Sequence, residues 1–247
     1  MFRDTITRAG SILFLVVLWY AVVGFFQPPL LPSPDAVVDR LLQEIDSGAL
    51  WLHLSSTLRR VAIAFFLAMG VGFTLGAIMG RYRRVDQALD GLLVIALNLP
   101  ALVVIILSFI WLGLTEWAAI LAVVVNKTPT IAVIFREGVR SIDRSLMEVA
   151  QVYRLPATRR FLRVWLPQLY PYSLAATRSG LALVWKIVLV VELVGASDGM
   201  GFKLGEFFQF FEIDGVLAYA FTFVAIILLI EALLLRPWER QISRWRG

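Results

Sequence analysis

Residues 61–80 read VAIAFFLAMGVGFTLGAIMG, twenty positions without a charged side chain, followed at once by Arg81, Arg83 and Arg84. A helix rises 1.5 Å per residue, so such a run spans a hydrocarbon core of roughly 30 Å. The stretch predicts a membrane-crossing helix, and the fold then depends on how many more the chain holds. Five further apolar runs occur, at approximately 11–27, 89–112, 116–135, 174–196 and 216–235. The composition agrees: of 247 residues 60% are apolar and 17% charged, too hydrophobic for a soluble domain of this length. The expected architecture is an all-α, polytopic membrane protein of about six transmembrane helices, forming a single domain over 1–247. The first run follows Arg3 and Arg8, as a secretory signal would. It ends in Trp19, Tyr20, Phe25 and Phe26, where a cleavage site needs small residues, and so reads as a retained helix.

Lysine and arginine set the orientation, because positively charged loops stay cytoplasmic. Arg3 and Arg8 precede helix 1; Arg81, Arg83 and Arg84 follow helix 2; a series from Arg136 to Arg163 separates helices 4 and 5; Arg236, Arg240, Arg244 and Arg246 come last. Both termini and the loop 136–170 are therefore expected inside. Loops 28–57 and 197–215, richer in acids, are expected outside. Within the first of these, Pro28, Pro29, Pro32 and Pro34 precede a segment, 35–46, with Val37, Val38, Leu41, Leu42 and Ile45 at helical spacing. It predicts a helix lying on the outer surface.

Several chemistries are excluded or disfavoured. The chain has no cysteine and only His53, which removes disulfides and thiolate chemistry and argues against a histidine-built metal site. The net charge of +5 is spread between apolar runs and forms no continuous face for nucleic acid. No G-x-x-x-x-G-K-[ST] loop is present, so the chain is not itself an ATPase, and no cofactor is expected.

Polar groups inside apolar helices are costly and are candidates for a transport pathway. These are Asn98 beside Pro100, Asn126 and Lys127 beside Pro129, and Lys186 and Glu192 in the fifth helix. Lys186 and Glu192 lie about 240° apart around their helix and cannot meet on it. For Lys127 and Lys186, pathway and structural roles both fit, whereas Arg178 and Glu231 read as structural, Arg178 by snorkelling to the interface. Gly72, Gly76 and Gly80 recur every four residues along one side of helix 2, which permits close helix packing. Contact within the subunit and contact between subunits fit that stripe equally.

In the loop 136–170, Ser145 and Glu148 have capping-box spacing and predict a short helix beginning there. Pro156 suits the start of a second helix, which Pro167 is expected to end. The pair would form a knob between helices 4 and 5. This segment resembles the EAA loop of permeases from binding-protein-dependent ABC importers, whose pattern is Glu-Ala-Ala, three residues, Gly, nine residues, Ile, one residue, Leu-Pro. Glu148, Val149 and Ala150 match its start, and Val164, Leu166 and Pro167 its end. Arg154 stands at the family's glycine, so either the turn avoids left-handed angles or Arg154 is held in strain. Pro28 to Pro34, Ser56 to Arg60, Leu99-Pro100-Ala101 with Trp111 to Gly113, and Glu192 to Gly195 with Gly199 to Gly201 extend the likeness to the nitrate, sulfonate, taurine and bicarbonate group.

The resemblance implies that Glu148, Val149, Ala150, Tyr153, Arg154, Leu155, Pro156, Arg159 and Arg160 dock an ATPase. It further implies two ATPase subunits, a second permease copy making a homodimer, an extracytoplasmic solute-binding protein, and a place in the bacterial inner membrane among its lipids. The solute expected is small, with a lean towards anions such as sulfonate, nitrate or carboxylate; neutral heterocycles stay open. One rival is a secondary transporter, against which stands the lack of visible inverted repeats. Another is an intramembrane enzyme, against which stands the lack of paired acids on one helix.

Overall fold

The computed structural model describes residues 2–235 and Pro237; the side chains of Arg3 and Arg8 and the residues Arg236, Arg240, Arg244 and Arg246 lie outside what is described. Every regular element among the described residues is helical. In order these are α1 (Phe2–Phe26), α2 (Pro34–Asp46), α3 (Ala49–Arg81), α4 (Arg83–Asn98), α5 (Ala101–Leu112), α6 (Glu116–Arg140) and α7 (Arg144–Val152). There follow α8 (Ala157–Arg160), a π-helical turn (Phe161–Trp165), α9 (Leu166–Gly195), α10 (Met200–Gln209) and α11 (Ile213–Ile230). Four helical stretches are long and apolar enough to cross a membrane, namely α3, α6, Ala157–Gly195 and Ile213–Leu233. The bent pair α4 and α5 makes a fifth if its two halves are counted as one broken span, and Leu13–Phe26 of α1 is a shorter apolar helix.

The core is the contact of α3 with α6, with α9 against both. Along α3 the buried positions Leu50, Leu54, Val61, Ala64, Ala68, Gly72, Gly76 and Met79 recur every three to seven residues, which keeps them on one face. A Cβ added at Gly72 would sit 2.6 Å from Ile131 Cγ2, at Gly76 2.6 Å from the Ala132 carbonyl oxygen, and at Gly80 2.6 Å from Val139 Cβ. The stripe therefore seats α6 of the same subunit, which decides between the two contacts that the sequence left open. Leu13, Phe14, Phe66, Ile110, Trp111 and Trp117 are turned outward, as a lipid solvent allows.

Four expectations are corrected. The run 89–112 is not one helix: Leu99 is extended and Pro100 cannot donate, so the chain turns by 98° between α4 and α5. The second short helix does not stop at Pro167. The wide turn at Phe161–Trp165 hands it on to α9, with the Leu166 N–H donating to the Phe161 carbonyl. Gln168 Nε2 satisfies the Val164 carbonyl at 2.8 Å, beside the proline that lacks an N–H. Helix 2 begins at Ala49, twelve residues before the apolar run, and the loop 197–215 contains α10, which the sequence did not announce.

The surface helix expected at 35–46 is α2. Ser33 caps it by accepting from the Ala36 N–H at 3.3 Å, and Pro34 occupies its first turn. Buried Tyr219 of α11 donates to Glu44 at 2.9 Å, and Arg40 pairs with Glu212 at 2.6 Å. These bonds pin α2 across the α11 end of the bundle.

Candidate functional site

At one end of the bundle lies α7, a nine-residue helix with Ala150 buried beneath it. Asp143 is its N-cap: its carboxylate accepts from the Ser145 N–H at 2.8 Å and from the Ser145 hydroxyl. Those bonds from Ser145 hold the Asp143 carboxyl below its ordinary range. The capping box expected from Ser145 and Glu148 does not form, because the helix starts earlier and Asp143 offers the better-placed acceptor. Glu148 instead lies mid-helix and exposed.

The other end of α7 closes on Arg154, whose φ is +50°. Leu155 N–H donates to the Ala150 carbonyl at 3.0 Å and Arg154 N–H to that of Gln151 at 2.9 Å, the two bonds of a Schellman closure. Of the two alternatives for this turn, strain is the one found. A left-handed backbone costs a non-glycine residue about 1–2 kcal/mol, which the closure and the burial of Ala150 offset. The result fixes the outward face of α7: Val152 and Tyr153 are 79% and 77% exposed, with Leu146 and Val149 beside them. Leu155 is half-buried, Pro156 precedes α8, and Arg159 is exposed next to half-buried Arg160.

The opposite end is built around Arg60, only 4% exposed. Its Nε and Nη2 donate to Glu116 at 2.9 and 2.7 Å, its Nη1 to Glu192 and to the Asp198 carbonyl at 2.8 Å each, and its Nη2 also to the Asp198 carboxylate. All five guanidinium donors are thus used. Glu192, 1% exposed, also accepts from Thr57 Oγ1 at 2.8 Å and from the Gly201 N–H at 2.9 Å. Thr57 Oγ1 accepts from Met200 N–H and His53 Nδ1 from Gly199 N–H, so α3 and α9 together cap the start of α10. Burial pushes the Asp198 carboxyl up, but hydrogen bonds from Arg60 and Ser56 outweigh it and hold the group below its usual value. Gly199, at φ +111°, leaves no room for a side chain, since a Cβ there would meet the Glu192 carboxyl carbon at 2.3 Å.

The five pathway candidates are not gathered in one place. Glu192 is sealed in the Arg60 network, paired at 2.8 Å and 1% exposed. Asn98 is exposed at the α4–α5 break, with its Nδ2 bonded to Val94 O at 2.8 Å. Lys127 is 8% exposed in α6, Asn126 is half-buried beside it, and Lys186 is exposed on α9. Neither lysine has a carboxylate partner among the described residues.

Comparison with known proteins decides what this arrangement belongs to. The family model of the binding-protein-dependent transport system inner membrane component matches residues 72–236. The chain belongs to that family. It is similar to the taurine transport system permease protein TauC of Escherichia coli, at 29% identity over 99% of this chain and 91% of that one. It is similar also to the putative aliphatic sulfonates transport permease proteins SsuC of Bacillus subtilis, at 29% over 94% and 85%, and of Escherichia coli, at 31% over 94% and 88%. Its fold resembles a chain of the solved inward-facing MetNI methionine ABC transporter, with a TM-score of 0.63 at 16% identity over 79% of this chain and 96% of that one.

As a member of the binding-protein-dependent permease family, the chain is the membrane subunit of an ATP-driven ABC importer and not an enzyme; hydrolysis belongs to separate ATPase subunits, and solute arrives with a binding protein. It is a component of the inner membrane. Sequence reasoning missed Arg60 as a site residue, because it placed the helix start at 61 and left Arg60 in a loop. The signal was there: Leu50, His53, Leu54, Thr57, Arg60, Val61 and Ala64 already keep helical spacing across that boundary.

Proposed function

We propose that two copies of this chain enclose a pathway for a small sulfonate-like organic anion, with the α7 end and both termini in the cytoplasm and α2 and α10 facing the binding protein. Lys186 carries this reading. It sits on an exposed stripe of α9 with Ala175, Arg178, Ala182 and Val190, nine residues or about 14 Å from the end at Gly195. A lysine that far along an apolar helix is costly against lipid, even when its stem snorkels. A second copy packed along the stripe would place the ammonium in a shared aqueous passage, where it attracts an anion. Lys127, buried in α6 without a carboxylate partner among the described residues, is a second candidate for the same cargo.

The relatives named for taurine and aliphatic sulfonates supply the substrate class, and the arginine-rich α7 end supports the orientation. On this reading Glu148, Val149, Tyr153 and Arg154 meet the ATPase. The whole chain then acts as one permease domain. Proteoliposomes holding the permease–ATPase complex and its binding protein test the pathway. Lys186→Met and Lys127→Met should each cut ATP-dependent taurine or alkanesulfonate uptake at least tenfold while leaving assembly intact. Uptake at the original rate by both variants would remove the lysines from the pathway. In the cysteine-free chain, Ala182→Cys should oxidise to a covalent dimer; a monomer only would place a different face between the copies.

A further inference from the structure

Two adjoining cavities lie beneath α7, on the side away from its exposed apolar face. One, of about 490 Å³, is bounded by Arg81, Val139, Arg140, Ile142 and Arg144. The other, of about 430 Å³, is bounded by Ala77, Ile78, Tyr82, Arg160 and Phe161. Arg81, Met147 and Trp165 line both, so the two form one cleft with a cationic half and an apolar half. No aspartate or glutamate lines either half. Arg140 is answered by Asp86 and Glu137, whereas Arg81, Arg144 and Arg160 have no carboxylate partner among the described residues.

We propose that this cleft binds one anionic phospholipid, its phosphate between Arg81 and Arg144 and an acyl chain along Ala77, Ile78 and Trp165. Charge complementarity and place select this occupant. The cleft lies where α3 and α6 end and α9 begins, the charged margin of these apolar helices, and a diacyl phosphate brings both the anion and the apolar tail that the two halves require. An ATPase docking on Leu146, Val149 and Tyr153 approaches the opposite face of α7 and leaves the cleft free. A lipid seated there braces the docking helix against the bundle, so lipid charge would set how firmly ATPase motion is passed on. Lipid binding needs only that these helices span the membrane and stands apart from the proposed solute, whereas the effect on ATPase motion rests on the docking proposed for α7.

Trp165 reports on the site directly. The permease–ATPase complex, in phosphatidylcholine vesicles doped with brominated phosphatidylglycerol or brominated phosphatidylcholine, is compared with its Trp165→Phe variant to isolate one indole. Brominated phosphatidylglycerol should quench that signal at several-fold lower mole fraction than the zwitterionic lipid. The preference should fall by up to roughly fivefold in Arg81→Gln and in Arg144→Gln, and vanish in the double variant. Arg83→Gln with Arg84→Gln, outside the cleft, should keep the preference, and excess inorganic phosphate should not abolish it. Equal quenching by both lipids, a preference that survives the Arg81 and Arg144 changes, or one lost equally in the control pair would overturn the site. Displacement by inorganic phosphate would make it a free-anion pocket and overturn the lipid assignment.

Discussion

The two ends of this bundle treat charge in opposite ways. Around Arg60 every donor of a buried guanidinium meets an acceptor, and the carboxylates it meets belong to α6, α9 and the turn before α10. At α7 the arginines outnumber their partners, large apolar side chains face outward, and a non-glycine residue is held left-handed. A fully satisfied network in low dielectric locks the elements it joins into one body. An element with strain, bare apolar surface and unanswered charge is incomplete by itself and is finished by contact with something else. The first end is therefore a fixed corner of the permease, and the second is, on the proposed reading, where partners act.

The largest effect should come from breaking the fixed corner. Arg60→Met leaves Glu192 buried without its cation, a loss of about 3–5 kcal/mol, so the purified permease should melt well below the original protein. Arg159→Met, at the exposed α7 end, should change the melting temperature little. Equal melting of the two variants would erase the contrast between the ends.

A smaller change of opposite sign is expected at the turn. Arg154→Gly relieves a left-handed residue and should stabilise by about 1 kcal/mol, raising Tm by roughly 2–4 °C. A lower Tm would mean that the Arg154 side chain contributes more than its backbone costs. The smallest effect concerns Asp143. Its carboxyl titrates below the ordinary value, so its support of α7 is complete above about pH 4 and is lost as pH falls through the depressed folded value. Hydrogen exchange at the first amides of α7 should speed up on acidification in that window, and Asp143→Asn should not show the acid step. Loss of protection on raising the pH instead would refute the cap.

One side of this contrast was legible in the sequence, the α7 end, and the Arg60 corner was not. The spans follow from runs of apolar residues long enough for a bilayer, and the knob follows from the spacing on either side of Arg154. What escaped depends on contacts between distant segments. Ser145 and Glu148 had the right spacing for a cap, yet Asp143 two residues earlier reached the amide first. Leu99-Pro100 was visible as a break, but nothing local states a 98° turn in place of a kink. Glu192 read as a pathway residue because its partner Arg60 lies 132 positions away. The glycines of 199–201 read only as part of the family likeness, and their physical reason came from the Glu192 carboxylate they surround.

The claim that α7 is where partners act is tested most directly by Val149→Asp, which puts a charge on its exposed face without touching the bundle. The purified permease should keep its melting temperature. ATP hydrolysis by the reconstituted complex should no longer rise when loaded binding protein is added, and the ATPase should be lost or weakened in co-purification. Stimulated hydrolysis at the original level, with the ATPase still bound, would show that coupling passes through another part of the chain.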